Sequence, residues 1–393
     1  MTLRPLGEDD LPTVVDQAAT SFGRAVDDEL RASYSARVAA GEVWGLDRDG
    51  AVLGHCRLLP SEHWLGGRRV PCLDIASVAV PPEHRGQSVA STLMRDVVAH
   101  GVRDGYGLSL LYPSTTRLYR QLGWEQSGSL TRYRVPARAL PRSPAAVRRG
   151  AGAADWAAIR ACHERYAASL PGAAVRSSRR WEELATVPYR YVVDAEGDTG
   201  EGPGPAGAIE AYALVEHRPI RDSWQHVLRL ADWSAITPRG LAAVVGFAAS
   251  HGTFARDVEL VDSRPPRWAT LVAEQELAAA GGLYWMARGL DVPTAIAHRG
   301  FPAGLDLSVA IAIDDDTVPS GPWRLAVAGG RGELIDAEAA DVHLSARAVG
   351  PLLTGFRSAS ELALIGSLSG PPEAIEGLDA AFAGPPPVML DFF

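Results

Sequence analysis

The sequence predicts a mixed α+β fold that is divided into more than one domain. Its 393 residues exceed the roughly 250–300 residues beyond which a single hydrophobic core stops growing. Helical spacing of apolar residues alternates along the chain with short, β-branched strand patterns. A stretch rich in Pro, Ala and Arg at residues 136–150 and a further change of pattern near residues 290–291 separate three such regions. We therefore expect domains at residues 1–136, 137–290 and 291–393.

The first region predicts a regular succession of helices and strands. Helices are expected at residues 9–21 and 30–40, and strands at 42–47, 51–60 and 72–80. The third strand ends before Pro81 and Pro82, because proline cannot donate to a sheet ladder. A helix at residues 86–101 and a short buried strand at 108–112 follow. The segment 136–150 is typical of a linker.

The second region repeats much of this order. Helices are predicted at residues 154–167 and 238–250, and strands at 189–194, 208–217, 227–236 and 258–262. The acidic, Gly- and Pro-rich segment 194–207 has little apolar area to bury, so we expect a mobile loop there. The third region predicts strands at 305–313 and 323–328 and helices at 345–353 and 358–365. An extended tail then follows a run of three prolines.

Composition restricts the possible functions. All 38 basic residues are arginines, so chemistry that needs a lysine is excluded. A net charge of −9 disfavours nucleic acid and favours a cationic small molecule, although solubility alone would also explain it. Three scattered cysteines predict neither a disulfide framework nor a metal site. The sequence lacks a membrane-length apolar run and a signal-peptide pattern, so we expect no membrane contact and a cytoplasmic protein.

The most specific feature is the segment that joins the predicted strand 72–80 to the following helix. It reads strand, sharp turn and helix start, and its turn contains the small residues Gly86 and Ser88. A helix N-terminus presents unpaired N–H groups and a partial positive charge, which suit a pyrophosphate. The segment has neither a Walker pattern nor a GxGxxG pattern. An ordinary turn between strand and helix remains the alternative at this point.

A second segment lies just beyond the predicted strand 108–112. Its residues 114–124 include Tyr119 four positions before Gly123. Together, the two segments resemble the GCN5-related N-acetyltransferases (GNAT), whose cofactor motif [RQ]-x-x-G-x-[GA] aligns with residues 85–90. Arg85 and Ala90 match that motif, whereas Ser88 stands where the family usually has glycine.

This resemblance implies an acyl-CoA site and a role for each matching residue. The backbones of Val78 and Val80 would bind the acyl-pantetheine arm. Tyr119 would be the general acid and Ser114 would lie beside the transferred group. The pyrophosphate would be held by Arg85, Gly86, Ser88, Val89 and Ala90.

The whole chain also resembles the Eis (enhanced intracellular survival) proteins, on residues 114–124, 228–240 and 283–293 and on its proline-led tail. That resemblance implies tandem GNAT-like domains, a sterol-carrier-like C-terminal domain and a homo-hexamer. It further implies that the terminal carboxylate of Phe393 acts as general base. Asp291 would bind a substrate ammonium, and Phe22 and Trp44 would line the pocket, with core packing as their alternative.

We therefore expect an acetyl-CoA-dependent N-acetyltransferase without a metal, acting on a cationic amine such as an aminoglycoside. An aspartate that the family carries after its first helix has no match near Phe22. A dedicated acyltransferase for one biosynthetic or peptide amine therefore remains an alternative. So does a CoA- or lipid-binding protein without catalysis. The run Asp314 to Asp316 is expected to be a solvated turn, because no calcium-loop pattern follows it.

Overall fold

The computed structural model describes residues 1–143, 147–150, 152–196 and 207–393. Most of the predicted loop at 194–207, and the middle of the predicted linker, lie outside these ranges. Two compact units make up the chain. The first unit comprises Met1–Gly128, Tyr284–Gly384 and Phe393, and the second comprises Ser129–Leu283 and Pro385–Phe392.

The helices and strands follow the predicted order, with some changes in their bounds. The N-terminal part contains β1 (Thr2–Pro5), α1 (Leu11–Phe22), α2 (Asp28–Ala39), β2 (Val43–Arg48), β3 (Ala51–Leu65), β4 (Arg68–Ala79), α3 (Val89–Arg103), β5 (Leu108–Leu111) and α4 (Thr116–Arg120). The middle part contains β6 (Glu125–Pro136), β7 (Arg148–Arg149), α5 (Gly152–Ala167), α6 (Ser178–Ala185), β8 (Tyr189–Asp194), β9 (Ile209–Pro219), β10 (His226–Ala235), α7 (Pro238–Ser250), β11 (Ala255–Asp262) and β12 (Ala278–Gly289). The C-terminal part contains α8 (Val292–His298), β13 (Leu307–Asp314), β14 (Trp323–Ala328), β15 (Arg331–Asp336), β16 (Val342–Ser345), α9 (Ala346–Thr354), α10 (Ala359–Leu364), β17 (Leu368–Ser369) and α11 (Pro372–Phe382).

In the first unit, the strands β1 to β4 form an antiparallel meander. β5 then joins β4 in parallel, after the crossover helix α3. Apolar residues of α3 such as Leu93 and Val97 pack against one face of this sheet, together with Leu73 and Ile75. Helices α1 and α2 form a second cluster with Val43 and other apolar residues. This arrangement follows from the apolar stripe that the sequence predicts on α3.

The hairpin of β3 and β4 is longer than predicted. The prediction ended β3 at Pro60 and began β4 after Pro71, whereas the ladder runs on to the pair Leu65 and Arg68. Gly66 and Gly67 form the turn with φ values of 59° and 79°, which glycine adopts at little cost. Pro60 and Pro71 both lie inside these strands.

The second unit has the same strand pattern. β7, β8, β9 and β10 pair antiparallel in that order, and β11 joins β10 in parallel after helix α7. The prediction that the second region repeats the element order of the first is confirmed by these pairings.

The sixth strand of each sheet comes from a distant part of the chain. β5 pairs on its other side with residues Met286–Gly289 of β12. β11 pairs with Thr131–Pro136 of β6. The units are therefore interleaved along the sequence. The exact bounds of the three expected domains stay a prediction.

The C-terminal segment of the first unit forms a five-stranded sheet with the order β15, β14, β13, β16, β17. Its strands β13 and β16 run parallel. Helices α8, α9 and α11 surround a wholly apolar cavity of about 20 Å³, which is room for about one water molecule. None of the helices among the described residues is long and apolar enough to cross a membrane.

Candidate active site

The parallel strands β4 and β5 separate at one end of the first unit. Their ladder runs from the pair Cys72 and Leu108 to the pair Ile75 and Leu111. Just beyond, β4 contains a bulge: Ala76 faces Arg57 and Ala79 faces His55, which leaves two residues of β4 opposite one of β3. Ser77 inside the bulge has a φ of 50°. The bulge follows directly after the end of the ladder, and Val78 and Val80 lie in and just after it, beyond the last residue that β5 pairs.

A loop connects this end of β4 to α3. It contains a short 3₁₀ turn, Pro82–His84, and then two left-handed residues, Gly86 with a φ of 74° and Ser88 with a φ of 61°. Arg85, Gly86 and Ser88 are exposed, and the Arg85 side chain donates to the Val80 carbonyl over 3.1 Å. Ser88 is the N-cap of α3, but its side chain makes no capping hydrogen bond. The N–H groups of the first turn, at Val89 and Ala90, therefore suit an anion.

Tyr119 lies on the short helix α4 and is buried at 4% exposure. Its ring meets Trp124 edge-on, with centroids 6.2 Å apart. Burial, together with the nearby Cys56, raises the pKa of Tyr119 to about 12. The phenol therefore keeps its proton at neutral pH and can donate it.

The residues that follow β5 lie at the same end of that strand. Ser114 is exposed between β5 and α4. The ring of Tyr112 contacts the ring of Phe393, with centroids 5.3 Å apart. The structure thus brings Phe393 to the strand that leads into Ser114 and Tyr119.

The structure also shows where the predicted substrate-binding residues lie, while their contact with a substrate stays a prediction. Asp291 lies at the opposite end of β5, where its N–H donates to the Tyr106 carbonyl. Its carboxylate accepts from the N–H and the hydroxyl of Thr294 and so caps α8. This structural role differs from the substrate contact predicted from the sequence.

Trp44 and Phe22 are the residues predicted as pocket walls. Trp44 packs against the α3 core, and its ring lies 4.6 Å from that of His100 near the far end of α3. Core packing, the alternative, therefore describes Trp44. Phe22 is 46% exposed at the end of α1, so core packing does not describe it, and its place in a pocket stays a prediction.

Sequence reasoning missed one charged site in the first unit. Asp315, expected in a solvated turn, has a side chain only 6% exposed and pairs with buried Arg288 over 2.7 Å. Gly123 leaves the space for this guanidinium, which lies over the Trp124 ring. The pair borders a cavity of about 740 Å³. The described residues contain no cluster of three or more His, Cys, Asp or Glu suited to a metal.

The corresponding place in the second unit is built differently. Only Ile236 and Thr237 connect β10 to α7, where Val80 to Ser88 connect β4 to α3. The Thr237 side chain accepts from the Gly240 N–H and so occupies a donor at the helix start. The connection at Ile236 and Thr237 therefore lacks the left-handed residues that the loop of the first unit contains.

Comparisons with known proteins agree with this geometry. Residues 2–127 match an acetyltransferase (GNAT) domain, and residues 292–390 match a sterol carrier protein domain. A GCN5-related N-acetyltransferase from Kribbella flavida is 32% identical, with a TM-score of 0.84, and the match covers 100% of this chain and 98% of that one. The chain belongs to the GCN5-related N-acetyltransferases.

More distant solved structures support the fold of this N-acetyltransferase. A GCN5-related N-acetyltransferase from Anabaena variabilis has a TM-score of 0.90 at 24% identity, and covers 100% of both chains. Eis1 from Mycobacterium abscessus has a TM-score of 0.80 at 20% identity, again over 100% of both. A search of curated proteins gave no match. The expected fold, with an N-terminal GNAT domain and a sterol-carrier-like C-terminal domain, is confirmed.

Proposed function

We propose that this Eis-like N-acetyltransferase transfers an acetyl group from acetyl-CoA directly to an amine of a cationic small molecule. The observation that carries the proposal is the end of the parallel ladder of β4 and β5, which the left-handed loop before α3 follows on one strand and buried Tyr119 follows on the other. The backbones of Val78 and Val80 bind the pantetheine arm like an added strand. The loop from Arg85 to Ala90 binds the pyrophosphate.

The transfer needs one proton removed and one supplied. The carboxylate of Phe393 accepts the proton that the amine nitrogen loses, directly or through water, because an α-carboxyl is ionised at neutral pH. An ammonium substrate first loses one further proton to solvent. The amine nitrogen attacks the thioester carbonyl while Ser114 lies beside the transferred group. The carbon–sulfur bond breaks, and Tyr119 protonates the departing thiolate.

A cationic substrate fits the net charge of −9, since an acidic protein attracts cations. An aminoglycoside is the first substrate class to test, because the resemblance to Eis proteins implies it. The lipid-binding alternative has less support, since the apolar cavity of the C-terminal segment holds only about 20 Å³.

The first experiment measures release of the CoA thiol from acetyl-CoA with a panel of amines that includes kanamycin, polyamines and short peptides. Turnover with multi-amine cations is the expected result. Acetyl-CoA binding without turnover on any amine would favour the non-catalytic alternative, and turnover confined to one peptide amine would favour the dedicated enzyme.

The second experiment tests Tyr119 as the acid. Tyr119→Phe should lower kcat by about 10²- to 10⁴-fold and leave the Kd of acetyl-CoA unchanged. Tyr106→Phe is the matched control, because Tyr106 is a partly buried tyrosine at the other end of β5. Equal turnover of the two variants would exclude Tyr119 as the acid.

A third experiment adds two residues after Phe393, which moves the carboxylate from its present position. Turnover should fall while acetyl-CoA binding remains. An extended chain with full activity would exclude the carboxylate as the base.

A further inference from the structure

A cluster of charged side chains lies buried in the second unit. Arg176 donates to both carboxylate oxygens of Asp232 over 2.8 Å, and its Nε donates to Asp391 over 2.9 Å. Arg180 donates to the other oxygen of Asp391 over 2.7 Å. The side chains of Arg176, Asp232 and Asp391 are 1%, 6% and 8% exposed. Burying these charges costs desolvation free energy, so stabilisation of the fold is a weak explanation for the cluster.

The cluster lies where β10 and β11 separate. Their ladder ends at the pair Arg229 and Glu259. Directly after it, β10 contains a bulge, since Leu230 faces Val215 and Asp232 faces Leu214. The bulge of β4 in the first unit has the same place relative to its parallel ladder. Asp232 thus stands in the strand position that Val78 has in β4.

The second unit does not hold this place for a cofactor, because the chain's own tail lies there. Val388 bridges Ser129 of β6 in parallel and donates to the Pro171 carbonyl over 2.8 Å. Met389 donates to the Ser129 carbonyl over 3.0 Å. Both residues are fully buried, and Asp391 follows with its two arginines. Backbone hydrogen bonds, apolar burial and ion pairs together hold residues 388–391 in a binding site of the second unit, which we call the seat of the tail.

Two further buried side chains, Tyr212 and His163, support Asp232. The Tyr212 hydroxyl donates to Asp232 over 2.7 Å and lies 3.2 Å from Nδ1 of His163. Burial alone would raise the pKa of the Asp391 carboxyl, but the charges of Arg176 and Arg180 hold it well below its usual range. The tail aspartate is therefore an anion at every pH at which the enzyme would work.

Phe393 follows two positions after Asp391, so the Cα atoms of these two residues can lie at most about 7 Å apart. We propose that Arg176 is a positioning residue: held by Asp232, it clamps Asp391 and thereby fixes the carboxylate of Phe393 for deprotonation of the amine. The inference rests on the proposed function for the role of that carboxylate. The clamp itself is independent of it.

The test compares Asp391→Asn with Glu259→Gln in the full-length protein. Glu259 is a matched control, because it is a buried carboxylate of the same unit that also contacts two arginines, Arg134 and Arg218. Carboxypeptidase A releases a C-terminal phenylalanine only from a tail that has left its seat. The release rate of Phe393 therefore reports the clamp without any acetyl transfer.

Asp391→Asn should speed release of Phe393 by about ten- to a hundredfold, as loss of charge-assisted hydrogen bonds predicts. It should also lower kcat and leave the KM for acetyl-CoA unchanged. Glu259→Gln should change neither the release rate nor kcat. Arg180→Gln should change the release rate and kcat in the same direction but by less. It replaces Asp391→Asn in the test if that variant fails to fold, because Arg180 is partly exposed.

Two results would overturn the inference. Unchanged release from both tail variants would show that the ion pairs do not hold the tail. Faster release with unchanged kcat would show that the clamp does not position a working carboxylate. A wild-type protein without transfer on any amine would refute the proposed function, while the release rates would still decide the clamp.

Discussion

Ser88 is the residue at which this chain departs from the family motif, and its backbone explains why glycine is usual there. With a φ of 61° it is in the left-handed region, which costs a side-chain-bearing residue about 1–2 kcal/mol. We predict that Ser88→Gly binds acetyl-CoA more tightly, because the phosphate can approach the loop more closely without a Cβ. It should also raise the free energy of unfolding by up to about 1 kcal/mol.

Asp222→Gly is the matched control for Ser88→Gly. Asp222 has a φ of 56° in an exposed turn of the second unit, so its replacement relieves the same kind of backbone strain outside the motif. Calorimetric titration with acetyl-CoA should show tighter binding only for Ser88→Gly. Equal affinity of wild type and Ser88→Gly would show that the loop does not contact the phosphates.

Tyr119 carries a prediction about pH. Because burial raises its pKa to about 12, the phenol stays protonated throughout the range from pH 7 to 10. We therefore expect no loss of kcat with an apparent pKa near 10, and the wild type and Tyr119→Phe should have alkaline limbs of the same shape. The check is a pH–rate profile of both. A wild-type loss near pH 10 that the variant lacks would contradict the buried phenol.

The sequence could predict the place of residues that depends on local chain geometry. It did not predict contacts with partners that are distant in sequence. The left-handed loop and Tyr119 follow from short motifs, and the structure brings both to the end of β4 and β5. The cap that Asp291 makes on α8 is an exception, because its partner Thr294 is only three positions away. Asp315 looked solvated because Arg288, its partner, is 27 positions away.

Among the elements, the hairpin of β3 and β4 is held by a close approach of two backbones. Gly300 donates to the Leu65 carbonyl, and a Cβ on Gly300 would overlap the carbonyl oxygen of Gly66. We predict that Gly300→Ala lowers the free energy of unfolding by about 1–3 kcal/mol, the usual cost of overpacking.

Gly304→Ala is the control for this contact. No atom lies within 4 Å of a Cβ at Gly304, so alanine should be neutral or slightly stabilising there. Urea unfolding of the two variants gives the comparison. Equal midpoints would show that the hairpin tip moves away at little cost.

Strand pairing beyond neighbours could not be read from the sequence. Each strand pattern is local, but the partner of β5 on its second side is β12, more than 170 positions later. Pairing at such separation is decided by the packing of whole sheets. The boundary expected at residue 136 gave no indication that β6, which ends there, pairs with β11.

At the scale of the whole molecule, one strand order serves two purposes. Both units have a bulged strand that separates from its parallel neighbour. In the first unit an exposed loop follows and makes a place for an anion. In the second unit a short connection follows, and the seat is filled by residues 388–391. The repeat was predictable from element order, whereas the difference in use depends on loop length and on the tail.

Each unit contains a buried histidine whose pKa is lowered by burial, and this makes both units sensitive to acid. Burial lowers the pKa of His55 in the first unit to about 4, and burial with the charge of Arg176 does the same for His163 in the second. An unfolded imidazole has a pKa of about 6.5. Between these values the unfolded chain binds more protons than the folded one, so stability falls as the pH drops from about 6.5 towards 4.

We predict that each histidine lowers the free energy of unfolding by about 2 kcal/mol between pH 7 and pH 5. Urea unfolding followed by tryptophan fluorescence at both pH values measures the change. His55→Gln should flatten the pH dependence of one transition and leave the other acid-sensitive, because His163 belongs to the other unit. His343→Gln, at an exposed position, is the control and should leave both slopes intact. A His55→Gln protein whose two transitions keep their full acid sensitivity would show that the imidazole of His55 is not held neutral by burial.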